Sequence, residues 1–87
     1  MHRDVAQLVR EQRLLEAARL ASDRGDAPTA SAIYEQACEW RSAAAEAMRA
    51  GDPPRALELA LRGGDEALAE RALVLVRDEA IAETVAA

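Results

Sequence analysis

The chain has few of the residues on which β-rich cores depend. Its 87 residues include no Phe, one Trp and one Tyr, whereas strands favour aromatic and β-branched side chains. Alanine supplies much of the apolar content instead. This composition predicts an all-α fold, and the length predicts one domain over residues 1–87. A fragment of a longer repeat protein is the alternative.

Lysine is also absent, and all eleven basic residues are Arg. The formal net charge is -5, whereas nucleic-acid binding requires a concentrated basic surface. We therefore expect no nucleic-acid partner, and the charge argues against a helix-turn-helix DNA binder. The use of Arg instead of Lys, beside the alanine excess, is typical of codon bias in a GC-rich genome and does not indicate phosphate recognition.

Long apolar runs and cysteine pairs are missing as well. No stretch approaches the roughly 20 apolar residues of a membrane span, and residues 1–10 lack the apolar core of a signal peptide. One cysteine cannot form an internal disulfide. These absences predict no membrane association and a cytoplasmic location.

The helices are predicted from apolar periodicity and from repeated Gly-Asp dipeptides. Apolar residues recur every three or four positions between about residues 3 and 23, which predicts one helix. Gly25 would end it in a left-handed conformation, and Asp26 would cap the next helix. The device recurs at Gly51-Asp52 and Gly64-Asp65. The other predicted helices span about 28–39, 40–50, 54–63 and 66–84, giving about five helices of which the last is the longest.

An internal repeat relates these segments. A shift of 26 residues aligns Gly25-Asp26 with Gly51-Asp52, and three residues of each following helix also match. A half-period of thirteen adds Gly64-Asp65 and a degraded copy at Cys38-Glu39. Alanine follows each acidic residue by four positions, as Ala30, Ala43, Ala56 and Ala69. The unit is one short helix with one turn, and two units make an antiparallel hairpin of a short α-solenoid.

Residues 12–64 resemble the tetratricopeptide-repeat family. The pattern of a Gly-Asp turn followed by small and large residues is met by Ala30, Tyr34 and Ala37. It is met again by Trp40, Ala44 and Gly51-Asp52, and then by Ala56 and Ala60 at the next small and large places. The period departs from the family's 34 residues, so the resemblance implies tetratricopeptide-like hairpins with shorter helices.

The resemblance implies binding of a peptide segment or a helix of another protein, on the face made by the first helix of each hairpin. The arginines there could pair with carboxylates of a partner; an ordinary solvated face is the alternative. The residues expected on this face are Gln12, Leu15, Arg19 and Ser22 from the first helix, with Arg41, Ala45, Met48 and Arg49 from the third.

The last helix carries an apolar stripe too wide for one neighbour to cover. An exposed apolar stripe usually marks an interface, which predicts a homo-oligomer, or contact with a further hairpin if the chain is a fragment. The stripe comprises Leu73, Leu75, Val76, Ile81 and Val85.

Residues suited to catalysis are scarce. The single imidazole, His2, lies at the terminus, and Cys38 has no second thiol with which to hold a metal. We expect Cys38 to be a small packed residue, and Tyr34 and Trp40 to be core residues. The sequence predicts no enzyme activity, no cofactor and no metal. It favours a non-catalytic protein–protein interaction module, and the alternative is a structural homo-oligomerisation domain.

Overall fold

Six α-helices in sequence make up the part of the chain that the computed structural model describes, residues 3–86. Short turns join them, and each helix packs mainly against its neighbours in the chain. The all-α prediction is therefore confirmed, and the arrangement is compatible with a solenoid of helical hairpins. The helices are α1 (Arg3–Arg10), α2 (Leu14–Asp23), α3 (Ala27–Gln36), α4 (Trp40–Arg49), α5 (Pro53–Gly63) and α6 (Glu66–Ala86).

The first predicted helix is two helices, and the expectation of one helix over about 3–23 was wrong. The chain turns at Gln12, whose φ of 63° is left-handed. Gln12 lies thirteen residues before Gly25, and Ala17 lies thirteen before Ala30. The repeat thus begins one unit earlier than the Gly-Asp dipeptides indicate. Glycine marks only three of the five turns, and at Gln12 the apolar periodicity also continues through the turn, so the sequence did not reveal it.

All five turns have one geometry. The residues with positive φ are Gln12, Gly25, Cys38, Gly51 and Gly64, each thirteen positions after the last. At every turn the next residue donates its N–H to the carbonyl five residues back, over 2.9–3.0 Å, as Asp26 does to Ala21. This is the Schellman closure of a helix C-terminus. Because the donor is also the N-cap of the next helix, only two or three residues separate successive helices.

The acidic residues at the turns cap the next helix as predicted. Asp26 accepts a hydrogen bond from the amide of Thr29 at 3.3 Å, Asp52 from Arg55 at 3.3 Å and Asp65 from Leu68 at 3.2 Å. Glu39 and Arg13 make no such side-chain bond. The prolines lie in the first turns of α3 and α5, where a missing amide costs no helical hydrogen bond.

Cys38 is exposed, so the expectation of a packed thiol was wrong. Its φ of 59° places it at the left-handed position of the turn between α3 and α4. A side chain there lies outside the helix-packing surface. The register of the repeat, and not the apolar character of the thiol, decides its exposure.

Alanine forms most of the core. The alanine four residues after each N-cap is at most 6% exposed, and small side chains of this kind let neighbouring helices approach closely. Two clusters result, the first formed by buried residues of α1, α2 and α3 and the second by those of α4, α5 and α6, and Tyr34 packs against both. Trp40 packs against the second cluster while half-buried, with the Arg62 guanidinium 5.3 Å from its ring centre. Both aromatics thus border the core without being enclosed by it.

Alternate helices share a side of the molecule. On one side, Ser22 of α2 contacts α4, and Met48 of α4 borders α6. On the other, Glu35 of α3 pairs with Arg55 of α5. At 21 residues, α6 is about twice as long as its neighbours and continues past them. None of the helices within residues 3–86 combines the length and apolar character needed to cross a membrane.

Candidate functional site

A buried carboxylate joins α2 and α4 on the predicted binding face. Glu46 is 6% exposed, and its Oε1 accepts hydrogen bonds from Ser22 Oγ at 3.0 Å and Arg49 Nη1 at 2.7 Å. Arg49 also donates to Ser22 Oγ at 3.0 Å. Glu46 Oε2 is buried without a hydrogen-bond partner among the described residues. The structure thus places Ser22 and Arg49 side by side on the predicted face, but the Arg49 guanidinium already pairs with Glu46 of the same helix.

The α2 part of the face is more open. Gln12 and Leu15 border a shallow hollow of about 280 Å³. Leu15 is 42% exposed, and the equivalent positions of later helices, such as Pro28 and Arg41, are exposed as well. Arg19 is exposed and makes no hydrogen bond or ion pair with another described residue. Of the three arginines predicted for this face, Arg19 has the guanidinium most available to a partner.

Arg41 is used within the fold. Its Nε donates to the carbonyl of Gly63 at 3.0 Å, and its Nη2 donates to that of Gly64 at 3.4 Å. These carbonyls lie at the C-terminus of α5, where they have no N–H donor within the helix and where a positive charge is favourable. Arg41 therefore ties the start of α4 to the end of α5.

Met48 connects α4 to α6. It is half-buried against the second core cluster and borders a cleft of about 370 Å³ with Arg71, Val74 and Leu75. Val74 is 54% exposed, although the predicted apolar stripe did not include it. The two predicted surfaces, one on the first helices of the hairpins and one on the last helix, therefore meet at this cleft.

The predicted stripe on α6 is mostly exposed. Leu73 is 45%, Leu75 41%, Ile81 58% and Val85 81% exposed, whereas Val76 is half-buried. Beyond Val76, every residue whose exposure is described, 77–85, is exposed. Within residues 3–86, therefore, no other helix covers the second half of α6.

A groove of about 390 Å³ lies between α5 and α6, and the sequence analysis did not predict it. Its apolar lining is Leu57, Leu61, Ala69 and Leu73, with Glu66 and Glu70 beside them. Leu61 is 65% exposed. The four-residue spacing of Leu57 and Leu61 could have indicated an apolar strip on α5. We call this the α5–α6 groove.

Other charged side chains form ion pairs near the surface. Within residues 3–86, no group of three or more His, Cys, Asp and Glu side chains is placed to hold a metal ion. Arg13 is ion-paired with Glu16 at 2.6 Å, which raises the pKa of its guanidinium above the ordinary value. His2 lies outside the described residues.

No protein-family model matches the chain, and comparisons with curated proteins and with solved structures gave no significant match.

Proposed function

We propose that this chain is a non-catalytic protein–protein interaction module of tetratricopeptide-like type. Its main binding surface would be formed by the exposed apolar residues of α5 and α6, which we call the α5–α6 end. The observation that carries the proposal is the distribution of large exposed apolar residues. Six of them lie on α5 and α6, whereas Leu15 is the one elsewhere among the described residues. Exposed apolar surface of this extent on a small domain usually marks an interface.

The face made by α2 and α4 has a smaller share in this proposal. Arg41 and Arg49 already bond to groups of the same chain, and bidentate binding of a partner carboxylate would compete with those bonds. Arg19 can pair with an acidic segment without such a loss. A partner whose acidic part approaches α2 and whose apolar part covers α6 fits both surfaces.

Affinity capture with matched variants tests this function. The bait is the full chain, and the test variant is Leu73→Glu, which places a charge in the α5–α6 groove. Ala32→Glu is the control, because Ala32 is exposed on α3, outside both the α5–α6 groove and the face made by α2 and α4. We expect heterologous proteins retained by the wild type and the control to be lost with Leu73→Glu. Equal retention by both variants would contradict binding at the α5–α6 end.

A structural homo-oligomerisation domain is the second candidate. It is favoured by the extension of α6 past its neighbours, which leaves residues 77–85 exposed. Capture of the bait's own sequence alone would support this candidate over the first, and sedimentation equilibrium of the purified chain measures it directly.

A further inference from the structure

The second half of α6 repeats the first half. Residues 78–83 read DEAIAE and residues 65–70 read DEALAE, a match at five of six positions with Ile81 in the place of Leu68. The spacing is again thirteen residues, so that Arg77 and Asp78 fall where the next turn would be. Arg77 instead lies within the continuous helix α6. The segment 78–85 therefore has the sequence of a seventh unit without the turn that would begin one.

In α6, the residues that pack against α5 are known from their burial. Leu68 is 8% exposed, Ala69 6% and Ala72 fully buried. The residues thirteen positions later are Ile81, Ala82 and Val85, all of which are exposed. The segment thus carries an unused copy of the surface with which α6 binds its neighbour.

The α5–α6 groove is the surface that a following helix would cover. Glu66, Glu70 and Leu73 line it and are exposed. The equivalent residues of the three preceding helices are all buried or half-buried, since the next helix covers them. These are Ala27, Ser31 and Tyr34 in α3, Trp40, Ala44 and Ala47 in α4, and Pro53, Leu57 and Ala60 in α5. The groove is therefore the place where a seventh unit would pack.

The acidic residues of the segment do not oppose this seating. By the repeat, Glu79 and Glu83 occupy the places of Glu66 and Glu70, which are exposed in α6. They would lie outside the groove, because Glu66 and Glu70 lie on a different side of α6 from its buried residues Leu68 and Ala72. The side entering the groove would be that of Ile81, Ala82 and Val85.

The continuous helix decides which copy supplies the segment. At about 1.5 Å per residue, Ile81 lies roughly 12 Å along the axis from Leu73 of its own groove. A straight α6 therefore holds residues 78–85 away from the α5–α6 groove of the same copy. A second copy in the same conformation can lay its segment antiparallel along the groove and receive the first copy's segment in return. Such an exchange closes with two-fold symmetry and requires no left-handed Arg77.

We propose that the chain forms a segment-exchanged dimer, in which residues 78–85 of each copy fill the α5–α6 groove of the other. This proposal rests on the homo-oligomerisation candidate above and specifies its contact. It predicts that a groove residue, Leu73, lies next to Ile81 of the other copy, while the two Ile81 side chains lie apart.

Sedimentation equilibrium and disulfide trapping test the proposal. We expect the wild type to be a dimer at high micromolar concentration. Ile81→Glu should raise the dissociation constant several hundredfold, because the two-fold dimer loses two buried Ile contacts of about 2 kcal/mol each and 1.4 kcal/mol is a factor of ten. Ile81 is exposed in the monomer, so this variant should still fold. Ala32→Glu, at an exposed position of α3, is the control that should leave the dimer intact. A wild type that stays monomeric would overturn both the exchange and homo-oligomerisation.

Trapping distinguishes the exchanged contact from other dimers. On a Cys38→Ser background, Leu73→Cys and Ile81→Cys chains are mixed in equal amounts and oxidised. A predominance of the mixed Leu73→Cys/Ile81→Cys cross-link supports the exchange. A predominance of the Ile81→Cys homodimer would overturn it, while leaving homo-oligomerisation through α6 in place.

Discussion

Replacing Gln12 or Cys38 with glycine should stabilise the protein. Both residues have a left-handed backbone, with φ of 63° and 59°, which costs a residue other than glycine about 1–2 kcal/mol. Glycine loses more backbone entropy on folding, which offsets about 0.5–1 kcal/mol. The net gain should be about 0.5–1 kcal/mol per site. In a domain of this size, that raises Tm by about 2–8 °C.

Matched controls separate this effect from a general effect of glycine. Gln7 and Gln36 are exposed and helical, in α1 and α3. Gln7→Gly and Gln36→Gly should each lower stability by about 0.5–1 kcal/mol. Thermal and urea unfolding followed by circular dichroism measure all four variants. If Gln12→Gly and Cys38→Gly destabilise as much as the controls, the left-handed turns at these two positions are refuted.

Four further substitutions test a helix contact, a buried ion pair and a helix cap. Gly63→Ala should cost about 1–3 kcal/mol, since the added Cβ would lie 3.0 Å from Trp40 Cβ; an unchanged urea midpoint would contradict this close approach of α4 and α5. Glu46→Leu should be neutral or stabilising, because it removes a buried and incompletely bonded carboxylate, whereas Arg49→Ala should cost about 1 kcal/mol. If Glu46→Leu instead has the lower urea midpoint of the two variants, the Glu46–Arg49 pair is a net stabiliser. Asp52→Ala should lower stability by about 1 kcal/mol through loss of the α5 cap, with Asp52→Asn as the conservative control.

Turn chemistry was the most predictable part of the fold. Gly25, Gly51 and Gly64 have the left-handed φ that their dipeptides indicate, and the Asp after each caps the next helix. The turn at Gln12 was not predicted, because Gln has no preference for that conformation and the apolar periodicity runs through it. Its position within the thirteen-residue repeat was the signal that could have found it.

The sequence only partly distinguished residues that are open to a partner from residues that stabilise the fold. Arg19 and Arg41 are the same residue type on helices of the same kind, yet one is open to solvent and the other bonds the end of α5. That difference depends on where Gly63 and Gly64 lie in space. The α5–α6 groove was likewise invisible in the sequence, because it exists only where two helices meet and no third covers them.

The amino-acid sequence by itself determined the helical class and the thirteen-residue period. Both depend on local chemistry, namely alanine-rich helices, left-handed glycines and acidic caps that act within a few residues of each other. Only the tertiary structure decided which surfaces are covered. Leu68 and Ile81 hold equivalent places in the repeat, but Leu68 packs against α5 while Ile81 is 58% exposed. Burial depends on whether another helix lies alongside, and a thirteen-residue sequence repeat does not determine that.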